Sequence, residues 1–165
     1  MNTTQCIRRL CCRLCNSSAL ELVIQLTPTP PANAFVKSNR VEVEQNVYPL
    51  DIFFCKNCSH VQLLDVIDPK ILFSEYVYVS GTSPLFVEHF RRYASDILTQ
   101  FTPRVGSLVV DIGSNDGTLL SFFKKAGMSV LGIDPARKIV EEANRNEIET
   151  LEGFFNLSLA EKILV

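Results

Sequence analysis

Val109-Val110-Asp111-Ile112-Gly113-Ser114-Asn115-Asp116-Gly117 is the stretch whose reading decides the fold. It is an apolar strand running into an acidic loop bounded by two glycines. Leu108 to Ile112 is apolar except for Asp111, as a strand covered on both faces should be. Beyond the loop, Thr118 to Ala126 reads as a short helix closed by Gly127, a natural residue just past a helix C-terminus. Ser129 to Ile133 is the next strand and ends in Asp134-Pro135. Ala136, Ile139, Val140 and Ala143 mark a second helix, and Ile148-Glu149-Thr150-Leu151 a third strand. Strand and helix alternating in this way predict a parallel, doubly wound sheet. A complete sheet of that kind has about five or more strands. The expectation is therefore a partial sheet, completed by a partner or by further chain.

Upstream of the strand, Ser83-Pro84 supplies an N-cap and a first-turn proline. Phe86, Phe90, Tyr93, Ile97 and Phe101 follow at helical spacing, with Ala94 and Leu98 widening the stripe. Packing against a core explains that stripe better than a ligand box does. Thr102-Pro103 ends the helix. Earlier still, Pro28, Pro30 and Pro31 exclude a helix, and Val41-Glu42-Val43-Glu44 alternates as a half-buried strand would.

Two identically spaced cysteine pairs stand in this N-terminal region, Cys12-Arg13-Leu14-Cys15 and Cys55-Lys56-Asn57-Cys58. A CxxC turn sets two sulfurs on one side of a tight loop, and two such turns complete a closed tetrathiolate site for structural zinc. Asp51 to Phe54 enters the second turn as a strand and Val61 to Leu64 leaves it, which makes a zinc-ribbon hairpin. A redox CxxC would leave the second pair unexplained. Cys6 and Cys11 fall outside the four and read as plain thiols. The expected organisation is a zinc-binding domain over 1–75, a linking helix over 76–104 and a partial Rossmann-like domain over 105–165.

Composition bounds the function. The 165 residues are 47% hydrophobic and 21% charged, as in a globular protein. A net charge of −2 and a pI near 5.7 give no electrostatic case for nucleic acid or an anionic membrane. No apolar run approaches the ~20 residues of a membrane span, and the first residues lack the apolar core of a signal peptide. Paired CxxC motifs then fit a reducing, cytoplasmic setting.

The ligand of the partial sheet is expected at the carboxyl ends of its strands, from Asp111, Gly113, Ser114, Asn115, Asp116 and Gly117 after the first and from Asp134 after the second. Asp134 stands where an acidic residue accepts hydrogen bonds from two ribose hydroxyls. A dinucleotide loop is GxGxxG, whereas this one is DxGxxxG and places Asp116 where a phosphate would be repelled. S-adenosylmethionine carries no phosphate: an acidic loop suits its sulfonium and ammonium, and backbone amides suit its carboxylate. The methyl donor is the better fit.

With these motifs in order, the chain resembles the cytoplasmic sugar C-methyltransferases of deoxysugar biosynthesis, which join a zinc-binding module to a class I methyltransferase fold. The likeness rests on Cys12 to Cys15, Pro31-Ala32-Asn33-Ala34-Phe35, Tyr48-Pro49-Leu50-Asp51 and the run from Phe54 to Leu63. It continues through Phe73 to Ser80, Ile112 to Leu120 and Gly132-Ile133-Asp134-Pro135. It covers nearly the whole chain but not the family's second half. What it implies is C-methylation of a nucleotide-linked keto-sugar, in which a general base removes the proton beside the carbonyl and the carbanion takes the methyl group. Tyr76 and Tyr78 would close over cofactor or sugar; alternatively both are strand aromatics packing on a core. His60 reads as structural and His89 as lying on a helix flank; the resemblance implies that the family's proton-transfer residues lie in the half it does not cover. The rival readings are a truncated, non-catalytic module that pairs with another chain or with a second copy, and a zinc ribbon recognising nucleic acid or protein. The acidic pI counts against nucleic acid.

Overall fold

The structure is a computed structural model that describes residues 5–164, and the chain divides into two compact units, Met1–Leu72 and Phe73–Val165. The first is built from short antiparallel strands. β1 (Cys6–Arg8), β2 (Leu20–Ile24), β3 (Ile52–Cys55), β4 (Val61–Leu63) and β5 (Asp65–Ile67) form two sheets, β1-β5 and β2-β3-β4. Arg8 ties them: its Nη2 bonds Asp65 Oδ2 at 2.6 Å and Asp51 Oδ2 at 3.3 Å, and its guanidinium lies 5.3 Å from the Phe53 ring centre. The buried apolar residues of this unit, among those described, are Cys12, Tyr48, Cys55 and Leu64. Two of them are cysteines of the CxxC pairs, so the metal site stands where a larger domain would have its core.

One expected strand is absent. Val41 to Glu44 forms a turn and bend after a single 3₁₀ turn at Ser38–Arg40, with Val41 and Val43 65% and 49% exposed. Alternation alone supplies no neighbouring strand to pair with. Gln45 Nε2 instead closes the loop onto Ala34 O at 2.8 Å. The proline-rich stretch is non-helical as expected, and Thr29 pairs with Tyr48 in an isolated antiparallel bridge.

After a five-residue helix, α1 (Pro69–Phe73), the second unit is carried by α2 (Pro84–Phe101). Ser83 caps it through Oγ, which accepts from Phe86 N at 3.5 Å; Thr102 closes it in the left-handed conformation at φ 42°. There follow β6 (Leu108–Ile112), α3 (Thr118–Lys125), β7 (Ser129–Asp134), α4 (Arg137–Arg145), β8 (Thr150–Glu152) and α5 (Leu157–Ile163). The three strands are parallel in the order β6-β7-β8. The third begins two residues later than its sequence reading, because Ile148 faces inward to the core and pairing starts at Gly132↔Thr150. Ala94 of α2, Phe123 of α3 and Met128 form one buried cluster, and Leu120, Ala143 and Ile148 another; Val109 and Val130 of the sheet pack against both.

β6 is paired on one edge only, among the described residues. Its Leu108, Val110 and Ile112, which alternation places on one face, are 57%, 41% and 58% exposed. No helix among the described residues is long and apolar enough to cross a membrane.

Candidate functional site

The two CxxC turns have the same local architecture. In each, the first cysteine donates its amide to the carbonyl five residues on: Cys12 N to Ser17 O at 2.8 Å, Cys55 N to His60 O at 2.9 Å. In each, the residue after the second cysteine donates back to the first, Asn16 N to Cys12 O at 3.1 Å and Ser59 N to Cys55 O at 2.8 Å. The first turn leads into β2, and the second joins β3 to β4. Register does the rest, pairing Leu20 with Cys55 so that the turns meet at one end of the sheet.

The four sulfurs lie within 4.8 Å of one another, with Cys12 and Cys58 3.7 Å apart and Cys15 and Cys55 3.6 Å apart. Zinc–sulfur bonds of about 2.3 Å at tetrahedral angles require sulfurs about 3.8 Å apart, so this donor set fits zinc. Cys6 and Cys11 are outside the cluster. Gln62 is a participant that spacing did not reveal. It is 6% exposed, its Nε2 donates to Cys12 Sγ at 3.1 Å, and its Oε1 accepts Arg13 N at 2.8 Å. Asn57 Nδ2 donates to Cys15 Sγ at 3.5 Å. Such donors orient thiolates and disperse their charge.

The thiols already behave as a linked set. Burial pushes the Cys12 thiol up, but amide donors, Gln62 and the Cys58 thiol outweigh it and bring Cys12 down to about 6. The His60 amide favours the Cys58 thiolate, yet burial and the three neighbouring sulfurs leave it pushed up to about 12. Four sulfurs this close cannot all ionise without a cation among them. A divalent metal supplies that cation and displaces the remaining protons.

In the second unit the glycine loop is folded against the end of β7. The amides of Gly113 and Ser114 both donate to Ile133 O, at 2.8 and 3.2 Å, and the Asn115 amide donates to Asp134 Oδ2 at 3.0 Å. Three successive amides of the loop are thus committed inside the fold, and are not presented to a ligand carboxylate or phosphate. Gly113 at φ 82° and Gly117 at φ 75° take conformations that favour glycine, and Asn115 shares the left-handed region at φ 51°. A Cβ on Gly117 would stand 2.7 Å from Ile148 Cγ2, whereas one on Gly113 would meet nothing within 4 Å. The first glycine therefore leaves open space, and the second permits close packing.

That open space is a cavity of about 340 Å³ at the carboxyl ends of the strands. The sheet and its loops contribute Ile112, Gly113, Asn115, Ile133, Asp134 and Pro135; the segment after β8 adds Gly153, Phe154 and Phe155, and the segment before α2 adds Phe73 and Tyr76. Its size is that of small-molecule sites, which run from about 300 Å³ upward. Asp134 is 7% exposed, and its Oδ1 accepts Ala136 N at 2.8 Å. With one amide on each oxygen, the carboxylate is fixed in orientation and retains lone pairs for a further donor.

Of the residues expected to bind a cofactor, Gly113, Asn115 and Asp134 line this cavity, while Asp111, Ser114, Asp116 and Gly117 do not. Asp111 lines a different hollow, with Tyr93, Phe101 and Leu120 among its neighbours. Burial, and then the charge of Asp134, raises its carboxyl above the usual 3.8. Ser114 is 5% exposed and its Oγ has no hydrogen-bond partner. Asp116 turns away: Oδ1 accepts Thr118 N and Oγ1 at 3.1 and 2.7 Å, and Oδ2 accepts Gly81 N at 2.8 Å. Tyr76 lines the cavity; Tyr78 does not, and its ring lies 6.5 Å from that of Tyr76. His60 contributes its carbonyl to the second knuckle, and exposed His89 rests against Phe90 and Tyr93 on α2. The aromatic segment 153–155 after β8 was missed because its sequence carries no polar signature; its position after a parallel strand is the signal that would have found it.

Residues 12–73 match the family model described as "Putative zinc binding domain". Over 152 residues the chain is 32% identical to the C-methyltransferase NovU of Streptomyces niveus, a match covering 92% of this chain and 36% of that protein. The chain therefore spans about a third of the length of the curated relative it matches.

Proposed function

We propose that the chain is the N-terminal portion of a zinc-module C-methyltransferase, on its similarity to a zinc-binding family model and to a C-methyltransferase, and that Phe73–Val165 is the first part of a Rossmann-like domain holding S-adenosylmethionine. The whole enzyme would methylate carbon on a nucleotide-linked keto-deoxysugar. The observation that carries the cofactor reading is the cavity at the carboxyl ends of β6, β7 and β8, where Asp134 meets a glycine loop whose amides are already engaged. A pyrophosphate needs free amides at such a loop. This site offers a carboxylate and apolar, aromatic walls in their place, which suits a phosphate-free, cationic nucleoside.

Each residue then has a part. The free lone pairs of Asp134 accept from the two ribose hydroxyls, Gly113 leaves room for the ligand at the loop, and Phe154, Phe155 and Tyr76 supply flat apolar surface for a base. Aromatic faces together with a carboxylate also favour a sulfonium cation. S-adenosylmethionine, when bound, supplies an electrophilic methyl group. Neither histidine of the described chain lines the cavity, and no residue is assigned as the general base that prepares the sugar carbon. The tetracysteine site holds zinc structurally: all four positions are taken by protein sulfur and no open position remains for substrate.

A second reading has its own observation, the unpaired edge of β6 with bare Leu108, Val110 and Ile112. In it the chain binds zinc and cofactor but acts only with a completing chain. Calorimetric titration separates the possibilities. Binding of S-adenosylmethionine that is lost in Asp134→Ala, with no binding of NAD, supports the cofactor site. Methyl transfer to a keto-sugar nucleotide by the chain alone would remove the second reading. A zinc-loaded, folded chain that binds no adenosyl ligand would refute the cofactor assignment.

A further inference from the structure

The segment from Tyr76 to Thr82 crosses from the cavity to the start of α2, and two side chains of the glycine loop hold it by its backbone. Asn115 Oδ1 accepts Ser80 N at 2.9 Å, and Asn115 Nδ2 donates to Tyr78 O at 2.9 Å. One amide side chain thus satisfies a donor and an acceptor two residues apart, as a neighbouring strand would. Asp116 Oδ2 accepts the next amide, Gly81 N, at 2.8 Å, and its other oxygen is anchored on Thr118. Contact there is tight: a Cβ on Gly81 would stand 2.6 Å from Asp116 Oδ2 and 2.9 Å from Thr118 Oγ1. A 3₁₀ turn at Ser80–Thr82, closed by Thr82 Oγ1 on Val79 O at 2.7 Å, shapes the segment to present both amides.

We propose that Asn115 and Asp116 are positioning residues, which latch the Tyr76–Thr82 strap onto the glycine loop and so hold the Tyr76 ring as a wall of the cavity. Resting on the cofactor reading above, this explains why two polar side chains of the loop face the strap. Asp116 lies outside the cavity, and Asn115, which lines it, commits its side-chain amide to the strap, so their part in binding is indirect. Asn115 is the joint: its left-handed backbone sends N–H to Asp134, and its side chain grips Tyr78 and Ser80. A ligand that engages Asp134 and lies against Tyr76 touches one end of this hydrogen-bonded chain and a ring two residues from Tyr78 at the other.

The sequence contains no tryptophan, so Tyr76→Trp creates a single reporter on the strap. The test measures acrylamide quenching of that tryptophan in the full chain without ligand, with and without Asn115→Gly. Glycine keeps the left-handed backbone and removes only the side chain. Release of the strap is read as severalfold stronger quenching and a red-shifted emission, with faster amide exchange at Ser80, while the melting transition persists. Quenching and exchange unchanged by Asn115→Gly would overturn the latch. Should that variant fail to fold, Gly81→Ala strikes the same latch from the strap side and is read in the same way. Ligand titration gives the second arm. Asn115→Gly and Tyr76→Ala should each weaken S-adenosylmethionine by about tenfold, the scale of one lost hydrogen bond. The double variant should be no weaker than either single one. Additive losses would make Asn115 a direct ligand contact and overturn the positioning role. Absence of binding by the unaltered chain would refute the cofactor reading alone, and the quenching arm would still decide the latch.

Discussion

Asn16 and Ser59 share one left-handed backbone conformation, at φ 59° and 61°, each directly after the closing cysteine of its knuckle. The conformation follows from chain reversal: with that residue turned over, the carbonyl one residue on returns to the first cysteine amide, Ser17 O to Cys12 N and His60 O to Cys55 N. Asparagine tolerates this region and serine does so poorly, because a Cβ crowds the following carbonyl at a cost of about 1–2 kcal/mol. Ser59→Gly is expected to stabilise the zinc-loaded chain by about 1 kcal/mol, and Asn16→Gly by less. Thermal melting in the presence of zinc measures both; a lower melting temperature for Ser59→Gly would refute the argument.

Gln62 gives the metal site a sequence-distant support. Gln62→Ala keeps all four sulfurs but removes the donor to Cys12 and leaves the Arg13 amide without its acceptor. Zinc affinity should fall by about 10–100-fold, as read in competition with a chromophoric chelator. Cys55→Ser should abolish tight binding and the cooperative unfolding of the first unit, since zinc there substitutes for a core. Full retention of metal by that variant would discard the four-sulfur assignment.

Asp111 should make the second unit less stable as pH rises. Its carboxyl is raised above 3.8 in the folded chain, first by burial and then by Asp134. A group with a raised folded pKa contributes stability that is fully present below its unfolded pKa and is lost as pH rises through the folded pKa. Asp111→Asn removes that loss. Its melting temperature should approach that of the unaltered chain below about pH 3.8 and exceed it at neutral pH. A variant less stable at neutral pH would show that the carboxylate is favoured where it stands.

Gly117 combines two constraints, positive φ and contact with Ile148. Gly117→Ala should cost roughly 3 kcal/mol, about 1 for the left-handed backbone and the rest for overpacking. Denaturant unfolding checks the figure. Pairing it with Ile148→Ala, which removes the contacted Cγ1 and Cγ2, should cost less than the sum of the two single losses.

The elements legible in sequence are those set by local rules. Ser83-Pro84 and Thr102-Pro103 bracketed α2, and a five-residue run apolar except for Asp111 marked β6 at its observed limits, although the face of Leu108, Val110 and Ile112 is bare, not covered as expected. Identical spacing sufficed for the cysteine turns, because ligand geometry is local to each. Val41–Glu44 misled because alternation records which residues could face inward, not whether a strand lies alongside. Asn115 and Asp116 were legible as special loop residues, but their partners were not. A side chain bonding a backbone 35 residues away leaves no trace in residue type, since any sequence has an amide there. Gln62 was hidden for the same reason.

The uncovered flank of β6 sets the colloidal behaviour of this chain. An edge with no paired strand among the described residues, beside Leu108, Val110 and Ile112, is a template to which another extended segment can add, and identical molecules are the most abundant source of one. Sedimentation should therefore drift to higher mass with concentration, and a single charge on that flank, Val110→Lys, should arrest the drift. The strand that leads into the glycine loop is thus also an edge open to misassembly.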